Sequence, residues 1–339
     1  MIDIEAIPMP YGDCFVLRWT DGDGAPRLVL LDSGTSAAYR AVLRRLLREI
    51  GRPIDVWVIS HPHNDHIGGA VRYFSDINMP VCREWWLNSF HEVSGDARTQ
   101  ACDGTLAASP AQARALDAAI AAAGVPVRCL RAGDALTVGN LSISVLSPMD
   151  ADVRFADSYI TPHTTDGTIA AASAGDDYET RLDGFSSKPF IEDDEPFNRA
   201  SISLLLEHEG RRFLWMADSS PSVVCASLRK MGYSCTSPLE CDYATISHHG
   251  SRGNTSPEWV SLVRARNYIV TSDASNVHDL PHKEALARIL CAGRMSGAPV
   301  SLCFPRATAG AQRIFRSDGP DVFSDYRFYI RMAFNRFSL

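Results

Sequence analysis

Apolar positions change period several times along the first sixty residues. Phe15 to Trp19 and Leu28 to Leu31 are short apolar runs on either side of a DGDGAP turn, which predicts a pair of strands. Ala37 to Ile50 then carries apolar residues at helical spacing, and Ile54 to Ile59 is the continuous apolar run of a buried strand, leading into SHPHNDHIGG. Further on, Ala107 to Gly124 is alanine-rich with helical spacing, and residues 136–148 predict a hairpin turning at Gly139 and Asn140. SISLLLEHEGRRFLWMAD (201–218) predicts two strands joined by a tight turn at Glu209 and Gly210. The last third predicts helix 221–231, strand 243–247, helix 256–264, strand 268–271, helix 283–292 and strand 299–303. No internal repeat is visible. Strand–helix alternation in both halves predicts an α/β fold, a four-layer αββα sandwich.

Met149 to Phe197 interrupts this rhythm. It is rich in Asp, Ser, Thr and Gly and contains the acidic run IEDDE (191–195), so it reads as a long loop or lid inserted into a single domain spanning residues 1–339.

Composition narrows the class. The chain has 339 residues, 45% hydrophobic and 22% charged, enough for a sizeable core. No apolar run reaches the roughly 18 residues of a membrane span, and the N-terminal sequence lacks a signal-peptide pattern, so the expectation is a cytoplasmic protein with no membrane partner. The nine cysteines are odd in number and contain no CxxC pair, so they are expected to be buried thiols rather than a disulfide framework or a thiolate zinc site. A formal charge of −7 gives no global attraction to nucleic acid, and the basic stretches 40–48 and 210–212 read as solvated surface.

The chemistry concentrates after the buried strand. His61, His63, Asp65 and His66 fall within six residues, a density that is costly to bury unless a cation organises it. Extended residues at 61 and 63 point the same way and offer two nitrogens to one ion. A turn at 64–66 directs Asp65 and His66 to a second ion a few ångströms away. Trp85, Trp86 and Phe90 are either core or a pocket wall, with Asn88 between them facing the site.

HxHxDH followed by two glycines, after a strand that follows DSG (32–34), resembles the metallo-β-lactamase superfamily. Within it, NRASISLLLEHEGRRFLWMAD (198–218), ISHHGS (246–251) and LPHKEALARIL (280–290) resemble the soluble domain of the competence DNA-uptake channel ComEC. The resemblance covers most of residues 1–310, the 149–197 segment excepted. It implies that Asp218 bridges two divalent metal ions, zinc or manganese, and that His248 binds the second ion while His249 acts from outside the ligand shell or in proton transfer. Asp32 is expected to orient a metal-binding histidine, and His282 to hold a phosphate or donate a proton. Ser251, Ser275 and Asn276 are expected to line the same face. One departure stands out: many members place a third histidine on the first ion where this chain has Asn198. His163, in TPHTTDGT, is the alternative source of that ligand.

These residues imply a hydrolase that attacks with a metal-activated hydroxide, with Asp65 or Asp218 accepting its proton; no GxSxG elbow argues for a nucleophilic side chain. The leading expectation is a phosphodiesterase or nuclease acting on nucleic acid or nucleotides. The alternatives are hydrolysis of a small-molecule lactone, ester or amide, and a metal-binding regulatory module without turnover.

Overall fold

The structure, a computed structural model, describes residues 1–88, 110–159, 176–186 and 188–339. Strands β1 (Asp3–Ala6), β2 (Phe15–Thr20), β3 (Pro26–Leu31), β4 (Val56–Val58), β5 (Trp85–Trp86) and β6 (Val127–Arg128) lie side by side in chain order as one sheet. A second sheet holds β7 (Ala135–Val138), β8 (Leu141–Ser147), β9 (Ser203–His208), β10 (Arg211–Trp215), β11 (Leu239–Thr245), β12 (Val263–Ile269), β13 (Val300–Phe304) and β14 (Phe328–Met332), again in chain order. The last strand, β15 (Arg336–Ser338), returns to the first sheet and pairs antiparallel with β1.

Three apolar clusters define four layers. Phe15, Leu17, Val29 and Leu31 from the first sheet meet Leu204, Leu206, Phe213 and Trp215 from the second, forming the core between the sheets. Alternate residues of the same strands, Val16, Leu28 and Leu30, face outward against Leu43, Leu47, Ile67 and Leu116 of the flanking helices. On the other side Leu205 and Leu214 pack with Leu228, Leu262, Leu286 and Leu290. Period-two alternation therefore buries both faces of each sheet. The αββα sandwich expected from the sequence is the fold observed.

Each sheet changes from antiparallel to parallel pairing, at β3–β4 in the first and at β10–β11 in the second. Crevices at the carboxyl ends of strands where such a reversal occurs are the usual ligand sites of open α/β sheets. Asp32 follows β3, His61 follows β4, Asp218 follows β10 and His248 follows β11.

Several local expectations need correction. The expected helix 256–264 ends at Leu262, and Val263–Ile269 is a strand, because VRARNYI exposes Arg264 and Arg266 while burying Val263 and Ala265 with period two. Strand β11 begins at Leu239, earlier than expected. The 149–197 segment is not uniformly irregular: Asp150–Tyr159 is helical, and Asp177 accepts hydrogen bonds from Lys283 N (2.6 Å) and Glu284 N (3.0 Å). Residues 160–175, His163 included, lie outside the described residues, as do Ala107 to Ser109, Phe90 and Cys102. Cys14, Cys82, Cys225, Cys241 and Cys303 are buried, but Cys129 and Cys235 are exposed and Cys291 is partly so. In the basic stretches, Arg45 lies 3.5 Å from Glu49, Arg211 3.5 Å from Asp242 and Arg212 2.7 Å from Glu207. No helix among the described residues is long and apolar enough to cross a membrane.

Candidate metal centre

His63 is the N-cap of the helix Asn64–Tyr73, so the HxHxDH run bends from extended chain into a first helical turn. His61 and His63 remain on the extended part, while Asp65 and His66 are carried by the helix. The helix lies directly on the DSG turn, where a Cβ on Gly69 would stand 2.4 Å from the Ser33 carbonyl oxygen. The paired glycines thus permit a backbone approach that seats His66 above Asp32. Ser33 Oγ donates to the His66 carbonyl at 2.6 Å and fixes that contact.

Asp218 stands at the centre. One of its oxygens, Oδ2, is 3.5 Å from His61 Nε2, 3.3 Å from His66 Nε2 and 3.8 Å from His248 Nε2; the other, Oδ1, is 3.6 Å from His249 Nε2. Asp65 Oδ2 lies 3.0 Å from His249 Nε2 and 3.6 Å from His66 Nε2. His63 packs edge-on against His61 at 4.4 Å, with its Nε2 3.6 Å from Glu195 Oε2.

The far nitrogen of four of these rings is held by an oxygen. His66 Nδ1 donates to Asp32 Oδ2 at 2.6 Å, and Ser60 fixes that carboxylate through its N–H and hydroxyl, both at 2.7 Å. Because the Ser60 hydroxyl donates to Asp32, it accepts from His61 Nδ1 at 2.9 Å. His248 Nδ1 faces Asp193 Oδ2 and Asn254 Oδ1, each at 3.1 Å. His249 Nδ1 faces Thr271 Oγ1 at 3.0 Å and Asp13 Oδ1 at 3.5 Å. Each arrangement leaves an Nε2 lone pair for a cation, the usual way that outer carboxylates and hydroxyls orient ligating imidazoles.

The electrostatics point the same way. Burial alone would depress every imidazole here, yet Asp218, Asp65 and Asp32 hold His66 well above the ordinary histidine value. Against the same desolvation, Asp218 and Asp193 raise His248 to about 9, and Asp218, Asp13 and Asp65 raise His249 to about 10. His61 goes the other way, pushed far down by burial and by its neighbours His66 and His63. Asp218 is held well below the carboxylate range because the surrounding imidazoles outweigh its desolvation. Without a cation, protons on histidine balance the buried carboxylates. His61 Nε2 and Asp218 Oδ1 are buried without a hydrogen-bond partner among the described residues, which is how ligands aimed at an ion stand. The donor set of imidazole nitrogens and carboxylate oxygens suits a divalent metal ion.

Residues 10–145, which include the DSG turn and the whole HxHxDH run, match the family model described as the metallo-β-lactamase superfamily. Over that stretch the chain is similar to the metallo-β-lactamase superfamily. No curated protein matches the sequence. Among solved structures it is similar to the metallo-β-lactamase fold protein YhfI from Bacillus subtilis, at 11% identity over 100% of this chain and 99% of that one, with TM-score 0.43. It is also similar to Zn(2+)-bound PqqB from Methylobacterium extorquens, at 10% identity over 100% of both chains, TM-score 0.43. A third is CmlA, a diiron β-hydroxylase from Streptomyces venezuelae, at 13% identity over 100% of this chain and 54% of that one, TM-score 0.46.

In the folded chain the adjacent histidines are placed differently from expectation. His249, expected outside the ligand shell, is buried between Asp65, His66 and Asp218; His248 is on the other side, toward Asp193 and Asn198. Both have positive φ, 49° and 55°, a left-handed turn that no strand-like alternation anticipates. His282 Nδ1 accepts from the Arg252 backbone N–H at 3.1 Å, and burial, then the charge of Arg252, depress its imidazole to about 3. Asn88 Oδ1 accepts from Leu130 N at 3.1 Å. Ser251 closes the HHGS turn through its N–H to the His248 carbonyl, and Asn276 closes the 276–280 turn onto Leu280. Ser275 is exposed, with its N–H on Asp273. Trp85 and Trp86 belong to the core, Trp85 stacked on Trp57 at 4.8 Å.

Residues missed in the sequence include Asp13, Asp193, Glu195, Thr271 and the pair Tyr11 and His278. Tyr11 meets His278 edge-on at 4.9 Å and lies 6.3 Å from the His249 ring. Burial, then the charge of Asp65, pushes its hydroxyl up to about 12. Asp193 and Glu195 were visible, but an acidic run reads as solvated charge until the chain is folded back onto the site.

Proposed function

We propose that this metal-dependent hydrolase fold holds two divalent ions and cleaves a phosphodiester, most favourably one of nucleotide size. The observation that carries the two-ion reading is the Asp218 carboxylate with imidazoles on both oxygens, His61, His66 and His248 at Oδ2 and His249 at Oδ1. His61, His63, His248 and Asp218 would hold the first ion, and Asp65, His66, His249 and Asp218 the second. This assigns His248 to the ion that lacks its third histidine and moves His249 inward.

When bound, two such ions supply a water acidic enough to attack near neutral pH and a positive field for the oxygen on which charge develops. The chain's own residues do the rest. Asp32, Asp193 and Asp13 hold the imidazoles in one tautomer and orientation. Asp218 would be the carboxylate that serves both positions. Glu195, partly exposed beside His63, takes the released proton toward solvent. Tyr11 and His278 flank the second position and orient the substrate's non-reacting part.

The phosphodiester assignment rests on this two-centre arrangement, which suits clamping of attacking and leaving oxygens, and on the HHGS turn that delivers both histidines. The inward-facing Asp193 and Glu195 disfavour a long polyanion and favour a nucleotide-sized diester. The same acidity favours a neutral lactone or ester as the second reading. Assaying the zinc- and manganese-loaded protein against a dinucleotide, an oligonucleotide, a lactone and a thioester tests both. Turnover of the dinucleotide above the others supports the proposal; turnover confined to the lactone or thioester replaces it.

A further inference from the structure

Asn198 is 1% exposed, and its amide has only one compatible orientation. Asp193 Oδ2 is 2.7 Å from one terminal atom of the amide, and an ionised carboxylate only accepts, so that atom is the nitrogen. The amide oxygen therefore faces away from Asp193, and it is buried without a hydrogen-bond partner among the described residues. Its surroundings belong to the first ion's half of the centre. The amide nitrogen is 3.4 Å from His248 Nδ1, and the Asn198 backbone N–H donates to Glu195 Oε2 at 2.7 Å, the same oxygen that lies 3.6 Å from His63 Nε2.

We infer that Asn198 Oδ1 is a direct ligand of the first ion, with Asp193 as the positioning residue that turns the amide oxygen toward it. The inference rests on the two-ion reading above. One carboxylate then sets two neighbours at once, since Asp193 accepts from the Asn198 amide and faces His248 Nδ1. A buried amide oxygen left without a partner is unfavourable, and coordination satisfies it. A neutral oxygen ligand is harder than imidazole, so this position also raises the standing of manganese relative to zinc.

The test is metal binding, measured on protein stripped with a chelator and titrated with zinc or manganese against a competing chromophoric chelator. Wild type is expected to bind two ions. Asn198→Ala should weaken one of the two by tenfold or more and leave the other within about twofold, with an unchanged circular dichroism spectrum. Asn198→His should bind two ions, with zinc favoured over manganese by at least tenfold more than in wild type. Wild-type affinities in Asn198→Ala, or failure of Asn198→His to hold the second of the two ions, overturn the inference and leave Asn198 a packing residue. If wild type itself binds no more metal than the His61→Ala, His63→Ala double variant, the two-ion reading fails instead, and the two failures are told apart by the wild-type titration alone.

Discussion

His249 Nε2 lies 3.0 Å from Asp65 Oδ2 although 184 positions separate the two residues, and both side chains are almost enclosed. One comes from the helix that opens after β4, the other from the left-handed turn after β11, so the two sheets meet at this contact. Replacing His249 by Ala should remove one metal equivalent and lower kcat/KM by a factor of a thousand or more, as elemental analysis and steady-state kinetics would report. His248→Ala should remove the other equivalent. Retention of both ions by His249→Ala would return that residue to an outer role.

Asp32→Asn keeps the size of the side chain but removes the charge that faces His66 Nδ1. Loss of such an outer partner typically weakens metal binding by about 10–100-fold. The weakening should fall on the second ion, read by competition titration. Equal weakening of both ions would mean that Asp32 supports the whole turn rather than one imidazole.

Metal loading should release protons. His248 and His249, held up to about 9 and about 10 without an ion, are charged at neutral pH and must give up a proton to coordinate. Titrating zinc into weakly buffered metal-free protein at pH 7.5 should release about two protons or more per chain. The linked stability has the sign of a raised histidine: it is fully present below the unfolded value near 6.5 and is lost as pH rises through 9 to 10. The melting temperature of the metal-free protein should therefore fall over that window, and the metal-loaded protein should not follow it.

The four acids of residues 192–195 should behave unequally. Glu192 Oε1 accepts from Ser222 N at 2.8 Å, Asp193 and Glu195 turn toward His248 and His63, and Asp194 is exposed. Asp193→Asn and Glu195→Gln should reduce turnover of every substrate, whereas Asp194→Asn should change little. A run acting only as an electrostatic screen would instead raise activity on an oligonucleotide when any of the four is neutralised, with an effect that shrinks at high salt.

Gly69→Ala tests the seating of the helix on the DSG turn. The added Cβ meets backbone at 2.4 Å from the Ser33 carbonyl oxygen, which cannot rotate away, so destabilisation of about 1–3 kcal/mol is expected. Thermal or urea unfolding measures it. A neutral result would place the closeness of that contact in question.

The sequence by itself determined the alternation of elements, the three hairpin turns and the run His61, His63, Asp65 and His66, because these depend on local period, turn chemistry and the cost of clustering imidazoles. It stopped short of the C-terminal strands Phe328–Met332 and Arg336–Ser338, which each form one edge of a sheet and are too short to announce themselves by pattern. Which of His248 and His249 turns inward was not legible either, since two consecutive positive φ values reverse the side chains and are imposed by packing around the turn. Nor was the service of Asp13, Asp193 and Glu195 to the centre. A carboxylate in a loop looks solvated in any linear reading, and only the closing of both sheets' carboxyl ends on one point removes the water and gives each acid an imidazole to face.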